Sequence, residues 1–160
     1  MGLDTTHGCW HGPYSQFMRW RVWLAKQAGM PSLYLMEGFF TVERGDYSPI
    51  LGRDGYSVSD SVRIALGEHL PIRWESLKRD PLHRLLSHSD CEGHIPARYA
   101  LPIAKRLEQI ASNAEREGAD VPGHAPDVER GIYDSMIAAC RRFAKGLREA
   151  AACGERVEFR

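Results

Sequence analysis

The densest chemistry in the chain lies in two short stretches. His88-Ser-Asp-Cys-Glu-Gly-His-Ile95 sets two imidazoles, a thiol and two carboxylates around Gly93, and His7-Gly-Cys-Trp-His11 adds two imidazoles and a second thiol. Imidazole and thiolate are ligands that zinc prefers, and the same groups serve as general base and nucleophile. If the two stretches meet in space, His7, Cys9, His88 and Cys91 make a mixed Cys/His metal set with zinc as the natural occupant. Neither stretch alone has the CxxC spacing that marks such a site. Cys91 with His88 or His7 as base is the corresponding catalytic reading. No HExxH, GxSxG or Walker loop accompanies it. The plainest reading is a polar turn in which Asp90 accepts backbone N–H groups and His88 hydrogen-bonds a neighbouring loop.

The central stretch also fits part of a calcium-binding helix-loop-helix. With Gly93 at the turn position, Asp90 and Glu92 fall on the third and fifth ligand positions, and Ile95 on the inward aliphatic one. His88 then occupies the first position and Tyr99 the twelfth. An imidazole is a poor ligand for a hard cation, and a phenol cannot supply the bidentate carboxylate that closes the shell. The pattern predicts a calcium-incompetent EF-hand-like loop between two helices.

The elements that would hold these residues are helical. In SQFMRWRVWLAKQAG, the residues Phe17, Trp20, Leu24 and Ala28 recur at helical spacing after Pro13 and Ser15, and Gly29 and Pro31 end the pattern. Asp80 and Pro81 are a cap and a first helical residue for DPLHRLLSH. Leu101, Ala104, Leu107, Ile110 or Ala111, and Ala114 mark a third helix that tolerates Pro102 in its first turns. Asp127 opens a fourth, with Val128, Ile132, Met136, Cys140, Phe143 and Leu147 as its buried stripe. Arg141, Lys145 and Arg148 on its other side read as a solvated face, with a phosphate-binding ridge as the alternative. Residues 32–43 read as irregular apolar structure, 44–60 as one long loop, 59–67 as a short helix and 118–126 as a linker before the last helix. Trp74 and Leu77 are expected to enter the core, and the tail packs back through Val157 and Phe159. The expectation is a mostly α protein, residues 1–160 forming a single domain of about four helices.

Bulk composition narrows the function. Lys+Arg and Asp+Glu both number 21, so a general nucleic-acid binder is not expected, although a local basic patch is compatible with the balance. No apolar run is long enough to cross a bilayer, and the N-terminus lacks a secretory leader pattern. The reading is a cytoplasmic protein without a membrane segment, in which homo-oligomerisation stays open. Four cysteines in this context are not a disulfide framework, and Cys140, inside a helical pattern, reads as a small buried hydrophobe.

The pattern GLDxTHxCWxGxYSxFxRWR, which Gly2 to Arg21 matches, resembles the start of a group of small phage and bacterial proteins. DPLHRLLSHSDCEGHI is similar to that group's second signature, and AAACGERVEF to its C-terminal end. Glu92 and His94 stand where the group's pattern has Asp and Glu. The resemblance implies a lineage rather than a reaction, and a small accessory protein acting on host processes or defence. Two functions follow. In the first, the chain is a binding module for a phosphate-containing, nucleotide-like ligand or for a host protein. Its pocket would draw on His7, Trp10, His11, Tyr14, Ser15, Arg19, Arg21, His88 and Asp90. Trp10 or Tyr14 would stack on a base, and Arg19 or Arg21 would hold a phosphate. In the second, it is a small metal- or Cys-dependent hydrolase using the His7/Cys9 and His88/Cys91 segments.

Overall fold

The structure, a computed structural model, describes residues 2–36, 72–88, 93–119 and 127–160. Strand β1 (Gly2–Asp4) pairs antiparallel with β2 (His11–Pro13), with Leu3 opposite Gly12 and Asp4 opposite His11. Pro13 then stands at the N-cap of helix α1 (Tyr14–Gln27), where its fixed φ suits a helix start. A single turn, α2 (His83–Leu86), follows the Asp80 corner, and the Asp80 carboxylate accepts the Leu82 N–H at 2.9 Å. Strand β3 (His94–Ile95) leads into α3 (Ala97–Ala119); α4 (Asp127–Cys153) and β4 (Val157–Glu158) complete the chain. The described part of the protein is mostly helical, with four α-helices and only short strand pairs.

Helices α3 and α4 form the frame as an antiparallel pair. Ala100, Ile103, Ala104, Leu107, Ile110, Ala111 and Ala114 of α3 are buried against Ile137, Cys140, Phe143, Ala144, Leu147 and Ala150 of α4. Two bidentate arginine forks lock the register. Arg141 donates to Glu115 at 3.0 and 2.6 Å, and Arg148 donates to Glu108 at 2.6 Å through both nitrogens. The basic row expected as an open face is thus engaged with the acids of α3, and Lys145 reaches Glu149 at 3.8 Å. The apolar stripes also depart from the periodicity: Leu101 is 39% exposed between buried Ala100 and Ile103, and Ile132 is 54% exposed, so burial in α4 begins about a turn later, at Ile137.

Helix α1 lies on this frame through an aromatic stack. Trp10, Phe17, Trp20, Phe143 and Phe159 approach one another with ring centres 5.0–6.5 Å apart. The Trp20 indole donates to the Cys140 sulfur at 3.4 Å. Close approach of the N-terminal turn to α4 requires Gly146. A Cβ there would lie 2.5 Å from the Cys9 sulfur and 2.6 Å from the His7 carbonyl oxygen.

The tail is the thread that joins the two signatures. Asp4 and Arg160 exchange backbone hydrogen bonds at 2.9 and 2.8 Å, and the Glu158 N–H donates to the Thr6 hydroxyl at 2.9 Å. On its other edge β4 pairs with β3, Ile95 opposite Val157, and the Phe159 N–H donates to the Gly93 carbonyl at 3.1 Å. Val157 and Phe159 are buried, as expected. Residues 33–35 form a 3-10 turn and Met36 bridges Ile72, while Trp74 and Leu77 pack on the core from a second 3-10 turn. The long 44–60 loop, the 59–67 helix and residues 120–126 of the linker lie outside the described residues, and the linker begins later than expected because α3 runs to Ala119. Among the described residues no helix is long and apolar enough to cross a membrane.

Candidate functional site

The two chemistry-bearing stretches are each tied to the C-terminal tail, His7 through Glu155 and His94 through Glu158, and the second is also tied to α1. Arg21 of α1 is completely buried, and its guanidinium donates to the Leu86 carbonyl and, at 2.9 Å, to the His88 carbonyl. It also lies over the Phe17 ring at 5.4 Å. Burial lowers its pKa to about 9, so it remains charged at neutral pH. Arg21 therefore clamps the end of α2 to α1 and does not face an open phosphate site. The His88 ring stacks on Phe159 with centres 4.2 Å apart. It fills the space beside Gly93, where a Cβ would meet His88 Nε2 at 2.8 Å. Gly93 also has φ +111, which disfavours any side chain, so the expected turn glycine is needed for two physical reasons.

Trp10 belongs to the aromatic core and offers no free face for a base. Cys9 is buried, and its thiol is pushed up to about 12, first by desolvation. A thiol held there is protonated at neutral pH and is neither a nucleophile nor a ready thiolate in the free protein. His7 adopts a left-handed backbone, φ 58, and its Nε2 lies 3.1 Å from Glu155, which ties the first signature to the tail. His11 is exposed and pairs with Asp4 at 2.5 Å across the β1–β2 ladder. Ser15 and Arg19 are exposed on the outer face of α1, and Tyr14 is half-buried. Asp90 and Cys91 lie outside the described residues, as do Ser89 and Glu92 of the EF-hand-like loop. Among the described residues no three His, Cys, Asp or Glu side chains gather as a metal-binding group.

A different cluster flanks the central stretch. Arg84 of α2 and Arg98 of α3 both place their guanidinium carbons 4.8 Å from the centre of the Tyr99 ring. The Arg106–Asp80 pair at 3.0 Å ties the corner before α2 to α3, two turns beyond Tyr99. Asp80 is committed to Arg106 and Leu82, so it does not neutralise Arg84. Among the described residues neither Arg84 nor Arg98 has a carboxylate partner, unlike the arginines that bridge α3 and α4. A hydrogen bond from Arg98, followed by the charges of Arg98 and Arg84, holds the Tyr99 phenol below the usual tyrosine range.

The surrounding chain is basic despite the neutral total. Residues 72–106 carry seven Lys or Arg against four acids, Glu75, Asp80, Asp90 and Glu92. The first turn of the 23-residue α3 adds its positive dipole end to the same place. Such an arrangement attracts an anion: two planar forks against one aromatic ring and a positive helix end. Sequence reading missed these residues because it weighed Tyr99 only as a failed calcium ligand. Arg84 and the Arg98-Tyr99 pair close to either side of the central stretch were the available signal. No family model matches the chain, and no curated protein or solved structure shows significant similarity to it.

Proposed function

We propose that the protein is a small accessory binding module for a phosphate-bearing, nucleotide-like ligand, and that the phosphate sits at Arg84, Tyr99 and Arg98. The observation that carries this reading is the convergence of two guanidinium groups on one phenol, with no carboxylate partner among the described residues. Cation–π contacts at exposed positions contribute roughly 0.5–1 kcal/mol each, and the repulsion between two neighbouring cations opposes them. A bound anion removes that repulsion and forms charge-assisted hydrogen bonds to both forks. Arg19, Ser15 and His11 offer a second exposed polar surface at the start of α1, but among the described residues it lacks a comparable convergence of cations.

Thermal unfolding of the full chain with AMP, with inorganic phosphate, and with potassium chloride at matched ionic strength tests the reading. Saturation at about 100 times Kd adds about 2.7 kcal/mol of stability. For a protein of this size that raises Tm by roughly 5–10 °C. AMP and phosphate should stabilise beyond chloride, and Arg84→Gln with Arg98→Gln should remove the effect. A shift that survives in the double variant rules out this cluster as the site; no shift with either ligand defeats the reading itself.

A further inference from the structure

We infer that the group recognised at this cluster is a terminal phosphate, a phosphomonoester dianion, and not the bridging phosphodiester of a cyclic or internal nucleotide. The inference rests on the binding reading above and concerns which phosphate that site selects. Two counts support it. The first is charge: Arg84 and Arg98 supply two positive charges beside one ring, and the start of α3 adds a further partial one. A diester carries a single negative charge and leaves one guanidinium uncompensated, where among the described residues no carboxylate pairs with either arginine. A terminal phosphate carries about −1.5 to −2 at neutral pH.

The second count is of acceptors. A guanidinium fork binds two oxygens side by side. A diester has only two non-bridging oxygens, which two forks would have to share. A terminal phosphate presents three, so both forks engage it at once, with the Tyr99 hydroxyl beside them. The depressed phenol pKa of Tyr99 reports the same excess of positive potential that a dianion would neutralise.

Calorimetric titration of the full chain with AMP and with 3′,5′-cyclic AMP isolates the difference, because base and sugar are shared and one negative charge is not. AMP should bind at least about fivefold more tightly, the effect of one further ionic contact screened by water. In Arg84→Gln and in Arg98→Gln, both at exposed positions, the preference should shrink to about twofold or less. Inorganic phosphate should displace AMP, whereas adenosine should not. Equal affinity for AMP and its cyclic form overturns this inference and leaves the phosphate-binding reading standing. Displacement by adenosine but not by phosphate overturns both, and so does the absence of binding by either nucleotide.

Discussion

Gly146→Ala and Gly131→Ala make the same chemical change in the same helix and should move stability in opposite directions. Alanine is favoured over glycine in a helix interior by about 1 kcal/mol. At Gly131 nothing lies within 4 Å of the added Cβ, so the substitution should stabilise by about 0.5–1 kcal/mol. At Gly146 the Cβ would fall 2.5 Å from the Cys9 sulfur, 2.6 Å from the His7 carbonyl oxygen and 3.0 Å from the Cys9 nitrogen. Two of those atoms are backbone, in a turn already constrained by the positive φ of His7 and Gly8. Relieving the overlap requires the N-terminal turn to lift from α4, and overpacking of this kind costs roughly 3 kcal/mol at its upper range. Net of the propensity gain, Gly146→Ala should destabilise by about 2 kcal/mol, or roughly 4–8 °C in Tm, while Gly131→Ala should raise Tm by about 1–4 °C. Adding Cys9→Ala to Gly146→Ala should recover less than half of the loss, since the His7 oxygen still obstructs. Scanning calorimetry of the four proteins reads all of this. A neutral or stabilising Gly146→Ala would refute the close docking of the first signature on α4, and with it the path by which the tail joins the two signatures.

Two further outcomes follow from buried groups. Arg21→Leu removes the donor to the Leu86 and His88 carbonyls at the end of α2; denaturant titration should show a loss of roughly 2–4 kcal/mol, and a loss below about 0.5 kcal/mol would contradict the clamp. Iodoacetamide at pH 8, followed by mass mapping, should modify exposed Cys153 and spare Cys9 and Cys140, whose thiols burial pushes up to about 12 and about 11; both should react once urea unfolds the chain, and fast native labelling of Cys9 would contradict its burial.

The helical frame was readable because period and burial agree along most of it. Phe17, Trp20 and Leu24 sit on one face of α1, and Cys140, Phe143 and Leu147 sit on one face of α4, all buried as their spacing implies. Leu101 and Ile132 broke the pattern: a helical stripe tells which residues share a face, while the neighbouring elements decide which of them are covered. Arg21 was misread for a related reason. Its charge predicts the surface, whereas the carbonyls of a segment more than sixty residues away help make a buried guanidinium tolerable.

The site was less legible than the fold. The residues most suggestive in isolation, His7, Cys9, Trp10 and His88, hold the tail and the core together. Arg84, Arg98 and Tyr99 are ordinary surface residues by type, and what distinguishes them is that the fold brings the two arginines onto one ring. The central stretch, which resembled a calcium loop lacking its closing acid, is followed at that twelfth position by a phenol that two cations contact. Positive charge gathers there, the reverse of what a calcium loop requires.

The most direct test of this account is chemical-shift mapping of AMP on the isotope-labelled full chain. The account predicts saturable shifts centred on the amides of Arg84, Arg98 and Tyr99, lost in the Arg84→Gln, Arg98→Gln double variant. Shifts centred instead on His11 to Arg19, or none at any AMP concentration, would contradict it.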